Sequence, residues 1–262
     1  MSLAARIEGV GVVGPGLAGW REARAILSGS APYTPAATVI PSPEALPPTE
    51  RRRAGKCVRL ALFAGLAAAT DAGREARDLA AVFTSSTGDG ENQHAICEAL
   101  ASNDRLISPT RFHNSVHNAP AGYWGIATGA MRASDCLAAY DGSFGAGLLE
   151  ALGRLAAHPR QPVLLVAYDA PYPEPLYSAR PVLDSFAVGL VLAEGRGEGP
   201  TIEMATARTP SDAMRLAALE PVRRGIPAAR VLPLLERIAR AEAGRIAIDY
   251  LDGLALAIDV RP

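Results

Sequence analysis

Lysine is almost absent from these 262 residues: Lys56 is the only one, so imine chemistry has a single candidate amine. Cysteine is scarce too, and Cys57, Cys97 and Cys136 are odd in number, far apart and without a CxxC pair. That spacing argues against a disulfide framework and against a zinc module. Neither sign of charge is in excess. With 26 basic and 27 acidic residues the net charge is -1, which leaves no field to draw the chain to nucleic acid or to an anionic membrane. Long apolar runs are missing as well, none approaching the roughly 20 residues that span a bilayer. The opening Met1-Ser2-Leu3-Ala4-Ala5-Arg6 lacks the charged-then-apolar order of a signal peptide. A cytoplasmic protein with neither nucleic acid nor membrane as partner is expected.

What is present is enough apolar sequence, 49% of the chain, to bury a sizeable core unaided. Residues 6–13 (RIEGVGVV) read as a buried strand ending at Gly14-Pro15-Gly16, followed by a short helix from about Trp20 to Leu27. Six prolines between residues 30 and 49 mark a surface loop. Glu50 to about Ala72 is predicted as one amphipathic helix, Leu79–Thr84 as a strand, and Asn92–Ala101 as a helix. A further helix is placed between Asn114 and Thr128, starting near Pro120, since proline suits the first helical turn. Ala133–Ala139 then reads as a strand and Ser143–Leu152 as a buried helix. The runs PVLLVAY (162–168) and FAVGLVL (186–192) have the continuous apolarity of strands buried on both faces. A strand at Ile202–Ala207 and helices near Asp212–Leu219 and Ala228–Ala243 precede a terminal hairpin, RIAIDYLDGLALAIDV, with Asp252-Gly253 at its turn. Strands alternating with helices and then pairing locally give an α/β class with a mixed sheet, helices on its faces and a C-terminal β-hairpin.

Several motifs invite a chemical reading. Gly9, Gly11 and Gly14 match GxGxxG after a strand, but Pro15 and Gly16 interrupt the expected helix and no acidic residue follows about 20 positions on. A tight strand-end turn is favoured over a dinucleotide site, and no cofactor is expected. His113 and His117 are spaced to share a helical face, yet no third ligand or general-base glutamate is near. A hydrogen-bonded or interface pair is favoured over a metal site. His94 and His158 stand alone and are expected on the surface. Gly142-Ser143-Phe144-Gly145 lacks the spacing of a hydrolase elbow.

Residues 108–152 gather unusual chemistry: polar FHNSVHN, then the aromatic AGYWGIATG, a strand, and a glycine-rich helix. Helix N-termini stabilise thiolates. Cys136, however, lies about seven residues before the helix start, inside the strand, where an inert buried thiol is the commoner outcome.

These residues resemble the N-terminal half of a β-ketoacyl synthase. The opening Gly9-Val10-Gly11-Val12-Val13-Gly14-Pro15-Gly16, Trp20, Leu27-Ser28-Gly29, the helix after Arg51-Arg52-Arg53 and the Ala146–Ala151 helix follow that family's order. The most specific match is Ser108-Pro109-Thr110-Arg111-Phe112-His113-Asn114-Ser115-Val116-His117-Asn118-Ala119. Within the family, the chain is most similar to the short chain length factors of aryl polyene and related type II synthase systems. The resemblance implies a single N-terminal-like domain over residues 1–262 with a thiolase-like half-fold. It also implies a subunit that pairs with an active ketosynthase near an acyl carrier protein, with homodimerisation as a further option. A half-fold is expected to leave one face of its sheet uncovered.

Departures from the family pattern shape the expected activity. Counting back from Ser143 and Ala146, the position of the acyl-accepting cysteine is occupied by Tyr140, with Asp141 beside it. A phenol, titrating near pH 10 in model peptides, substitutes poorly for a thiolate. The family's two C-terminal histidine contexts have no counterpart. The resemblance therefore implies a non-catalytic subunit of fatty-acid or polyketide synthesis. His113, His117 and Asn118 are then polar partners at most, and Tyr123, Trp124, Tyr140 and Phe144 are candidates to line or block an acyl channel. The alternative is an acyltransferase or decarboxylase with Cys136 as nucleophile and His113 or His117 as base.

Overall fold

The computed structural model, which describes residues 3–195 and 197–262, turns this alternation into eight strands and ten α-helices among the described residues. Strand β1 (Leu3–Val13) turns at Gly14 into α1 (Trp20–Ser28), and an extended proline-rich strap leads to α2 (Pro48–Arg53) and α3 (Lys56–Asp71). Then come β2 (Ala80–Thr84), α4 (Gly90–Ala101), α5 (Pro109–His113), α6 (Ala119–Thr128), β3 (Ser134–Leu137), α7 (Ser143–Ala157) and β4 (Val163–Asp169). The remainder is α8 (Leu176–Ala179), β5 (Phe186–Ala193), β6 (Thr201–Ala207), α9 (Glu220–Gly225), α10 (Leu232–Ala239), β7 (Gly244–Leu251) and β8 (Leu254–Arg261).

All eight strands join one sheet in the order β3-β2-β4-β5-β1-β6-β8-β7. Strands β3, β2 and β4 are mutually parallel, and every other pairing is antiparallel. The mixed sheet and the terminal β7–β8 hairpin are as the sequence suggests. The two continuous apolar runs become the neighbouring central strands β4 and β5, every residue of which is buried. Burial on both sides requires two covering layers. Helices α3 and α6 supply one, with Leu60, Leu62, Tyr123 and Trp124 in its core. Helices α7, α1 and α10 supply the other, with Phe144, Leu148, Leu27 and Leu235. The expected uncovered face is therefore absent, because α1 and α7 lie on it and α10, from the C-terminal third, packs against α1 to complete the layer.

The glycines of β1 have a packing role. A Cβ at Gly9 or Gly11 would collide with the carbonyl oxygens of Ala68 or Ala64, and one at Gly189 with that of Ala64. Their absence lets α3 lie against the sheet at backbone distance. Gly14 makes room for the Phe186 ring in the same way. The GxGxxG pattern is thus a helix-docking surface rather than only a turn.

Three predicted elements differ. The helix placed over Glu50–Ala72 breaks at Ala54-Gly55, where both residues are extended. Asn114 Nδ2 donates to the Arg53 carbonyl at 2.9 Å, and a side chain at Gly55 would press on the Asp89 carboxylate. The helix placed at Asp212–Leu219 is irregular up to a short 3₁₀ turn at Ala217–Leu219. Side-chain acceptors take the amides a helix would have used: Met214 N donates to Glu220, and Arg215 N and Leu216 N donate to Glu236. Finally, His113 and His117 do not share a helix. His113 ends α5, whereas His117 lies in the turn before α6, whose first turn accommodates Pro120.

Candidate functional site

In open α/β sheets the useful crevice lies beyond the carboxyl ends of parallel strands. Here β2, β3 and β4 deliver Ser85-Ser86-Thr87, Ala138–Asp141 and Asp169 to one end of the sheet. Asp169 is fully buried. Its Oδ1 accepts from Ser85 Oγ (3.1 Å), Ser86 N (2.8 Å), Thr87 N (2.9 Å) and Thr87 Oγ1 (3.2 Å), and its Oδ2 accepts from Ala228 N (2.8 Å). One carboxylate thus ties the loop after β2 to the end of β4 and to the turn before α10. Burial pushes its carboxyl above the usual range, against the pull of these donors.

The turn between β3 and α7 is held rigidly. Ser143 Oγ accepts from Ala139 N (3.0 Å) and donates to the Tyr140 carbonyl (2.7 Å), and Thr84 Oγ1 donates to the Ser143 carbonyl (2.8 Å). Gly142 and Gly147 carry no Cβ where Tyr250 and Thr84 press closest. The clamp forces Tyr140 into the left-handed region at φ +50°, a conformation that costs a non-glycine residue energy and that clusters at functional sites. Tyr140 is 65% exposed at the approach to the α7 N-terminus.

Arginine and carboxylate fill the surroundings. The Arg180 guanidinium stacks 3.9 Å from the centre of the Tyr140 ring and 5.7 Å from that of Tyr172. It donates to Asp141 Oδ1 (2.5 Å), Ser86 Oγ (2.7 Å) and Tyr172 Oη (2.8 Å). Arg230 reaches the other Asp141 oxygen at 3.3 Å. Beyond this cluster opens a polar cleft of about 710 Å3 between the Tyr140 turn, residues 208–211 and the tip of the β7–β8 hairpin. Asp249, which lines the cleft, is paired at 2.5 Å with the buried Arg223, which also holds Glu220 at 2.7 Å.

The remaining sequence candidates scatter. Cys136 sits in β3 opposite Phe83, and burial pushes its thiol up to about 11. His117 Nε2 lies 3.1 Å from the Leu137 carbonyl, which makes it a donor holding the end of β3. His113 and Asn118 are exposed at the surface. Tyr123, Trp124 and Phe144 are buried in cores on opposite faces of the sheet and line no common channel. Tyr123 bonds Asn114, and Trp124 meets Phe83 edge-on at 6.2 Å. His94 pairs with Glu98 along α4, and His158 is exposed after α7. Among the described residues no group of three or more His, Cys, Asp or Glu is arranged to hold a metal, and no helix is long and apolar enough to cross a membrane.

Asp169, Arg180 and Arg230 escaped the sequence reading. An acidic residue closing a wholly apolar strand was the available signal for Asp169. Arg180 and Arg230 carry no local signal, since their contacts to Asp141 are set by the fold.

A family profile described as beta-ketoacyl synthase, N-terminal domain, matches residues 21–241. Among solved structures, the chain is similar to the ketosynthase ApeO in complex with its chain length factor ApeC from Xenorhabdus doucetiae. That match has 25% identity and a TM-score of 0.75 over 98% of this chain and 99% of the other. The ishigamide ketosynthase/chain length factor matches at 15% identity and TM-score 0.70 over 98% and 99% of the two chains. AntDE:AntF, a type II PKS acyl-carrier protein in complex with its ketosynthase bound to the hexaketide, matches at 12% identity and TM-score 0.76 over 100% and 99%. The last two are likenesses of fold. No curated protein matches the chain.

Proposed function

The chain belongs to the β-ketoacyl synthase family through its N-terminal domain, and we propose that it is a non-catalytic member of the chain-length-factor type, a single domain that pairs with an active ketosynthase served by an acyl carrier protein. The observation that carries this reading is the elbow between β3 and α7. A strained, rigidly clamped backbone presents one side chain at a helix N-terminus, the setting that stabilises an anionic nucleophile, and the side chain there is Tyr140. Its ring is covered by Arg180 and neighboured by Asp141, so the scaffold is retained while the nucleophile is not. Cys136 offers little substitute. Its thiol titrates near 11 and is held in a strand, and thiolate is the reactive form.

Pairing is supported by what the surface leaves open. Strand β3 has a partner on one side only. Leu106, Phe112, Val116, Ile126 and Met131 are exposed, all within one 26-residue stretch of sequence that leads into β3. An unpaired strand edge preceded by many exposed apolar side chains supports a surface that another protein covers. The neighbours in complexes with ketosynthases and with an acyl carrier protein support a partner of that kind.

The test is intact mass after incubation with malonyl- and acyl-carrier-protein thioesters, on wild type and Cys136→Ala, alongside native mass spectrometry after co-expression with a ketosynthase. No adduct together with a 1:1 complex is the expected result. An adduct that vanishes in Cys136→Ala would overturn the non-catalytic reading, and a monomer that never associates would overturn the pairing.

A further inference from the structure

Three aspartates in the chain are followed by glycine, at 89–90, 141–142 and 252–253, and no asparagine is. Asp-Gly is the pairing in which a main-chain nitrogen most readily reaches the aspartyl carboxyl carbon, because glycine puts no side chain in the way of ring closure. Two of the three are held apart by the fold. Asp89 caps α4 through the Asn92 amide at 3.0 Å, and Gly90 lies against the Tyr172 ring. Asp141 is gripped by Arg180 at 2.5 Å and Arg230 at 3.3 Å. The Gly142 amide donates to the Ala139 carbonyl at 2.9 Å, and the Tyr250 carbonyl fills the space beside that glycine. Asp252-Gly253 differs on every count. It is the exposed two-residue tip of the β7–β8 hairpin. Among the described residues the Asp252 carboxylate has no partner and the Gly253 amide donates to nothing. Gly253 sits at φ +67°, and nothing lies within 4 Å of where its Cβ would stand.

We propose that Asp252 is a self-modification site, which closes onto the Gly253 nitrogen and reopens as an isoaspartyl residue. In the first step the Gly253 nitrogen bonds to the Asp252 carboxyl carbon. The carboxyl hydroxyl leaves with the amide proton as one water, and a cyclic imide remains. Water then adds back. Cleavage at the side-chain carbonyl restores aspartate, whereas cleavage at the main-chain carbonyl routes the backbone through the side chain and lengthens it by one methylene. That methylene falls between Leu251 and Leu254, the last pair of the hairpin, so it loosens the wall that the tip gives to the polar cleft. Exposed loop tips are where such changes are tolerated. The chemistry needs only water and does not depend on a ketosynthase partner.

The test ages the whole folded chain at neutral pH and maps its peptides by electron-transfer fragmentation, which separates aspartyl from isoaspartyl forms. An isoaspartate-specific methyltransferase with labelled S-adenosylmethionine counts the product independently. Isoaspartate building up at Asp252, with Asp89 and Asp141 left as aspartate, is the expected result. Asp252→Glu closes a larger ring and loses the product. Asp252→Asn closes the same imide by releasing ammonia and gains it faster, read as a mass shift from amide to acid. The position is exposed, so both variants are expected to fold. In urea the three Asp-Gly pairs should react alike, since only the fold distinguishes them. No isoaspartate at Asp252 in the folded chain, equal amounts at all three sites there, or the same preference for Asp252 in urea would each overturn the proposal.

Discussion

Removing the Asp169 carboxylate is the sharpest perturbation the structure offers, because one side chain holds three segments together. In Asp169→Ala the amides of Ser86, Thr87 and Ala228 lose their acceptor. The hydroxyls of Ser85 and Thr87 can rotate to other acceptors, and Ser86 and Thr87 are half-buried, so water recovers part of their loss. Ala228 is buried and its amide is left unpaired. At about 1 kcal/mol for each half-buried amide and about 2 kcal/mol for the buried one, the cost is about 4 kcal/mol. That corresponds to a fall of about 8–16 °C in Tm for a chain of this size. Asp169→Asn keeps one oxygen for the β2 loop but turns an amide group toward Ala228 N, and about half that cost is expected. Urea unfolding followed by circular dichroism measures both. The pH dependence has a definite sign. Burial raises the folded carboxyl above its ordinary value of 3.8, so the folded chain binds the proton more tightly than the unfolded one. Stability of wild type relative to Asp169→Asn should therefore be highest in acid and decline as pH rises from about that value. An Asp169→Ala variant within 1 kcal/mol of wild type would refute the view that this carboxylate organises the site.

Other expectations concern the elbow, the helix docking and the partner face. With its thiol near 11 against about 8.5 for a free cysteine, Cys136 should be alkylated by iodoacetamide roughly a hundredfold more slowly at pH 8, accelerating as pH rises; a rate equal to that of free cysteine, by peptide mapping, would contradict its burial. Tyr140→Cys should place a thiol at the α7 N-terminus beside Arg180, where it is alkylated at least about tenfold faster than Cys136. A slow thiol there would mean the elbow is not poised for a nucleophile. Gly11→Val drives a side chain into the Ala64 carbonyl and should lower stability by about 3 kcal/mol in urea melts. Phe112→Asp with Met131→Asp should weaken ketosynthase pairing by about tenfold or more in surface plasmon resonance while leaving Tm nearly unchanged, since both side chains are exposed.

Much of the scaffold was legible along the chain because its signals are local. Two apolar runs too short for helices gave the central strands β4 and β5, Asp252-Gly253 gave the hairpin turn, and a strand feeding a glycine-rich helix marked the turn at Tyr140. Each depends on periodicity or on the conformational tolerance of one or two residues. The helices that failed to form, at Ala54-Gly55 and at residues 212–216, were undone by groups far away in sequence: Asn114 and Asp89 in the first case, Glu236 in the second. A local pattern carries no record of an acceptor that arrives from another element.

The division is sharpest at the site. The family resemblance assigned Tyr140 to the nucleophile position by counting back from Ser143 and Ala146, and the sequence supplied the helix start that the count needs. Tertiary structure decided what surrounds it. Arg180 lies 40 residues on and Arg230 another 50, and both converge on Asp141 because the end of α8 and the turn before α10 come together at the turn between β3 and α7. Likewise the glycines of β1 were visible as a motif, but their use, admitting α3 to backbone contact, exists only once the helix has packed. Close approach and charge pairing act over a few ångströms, and only the folded chain sets which residues come that near.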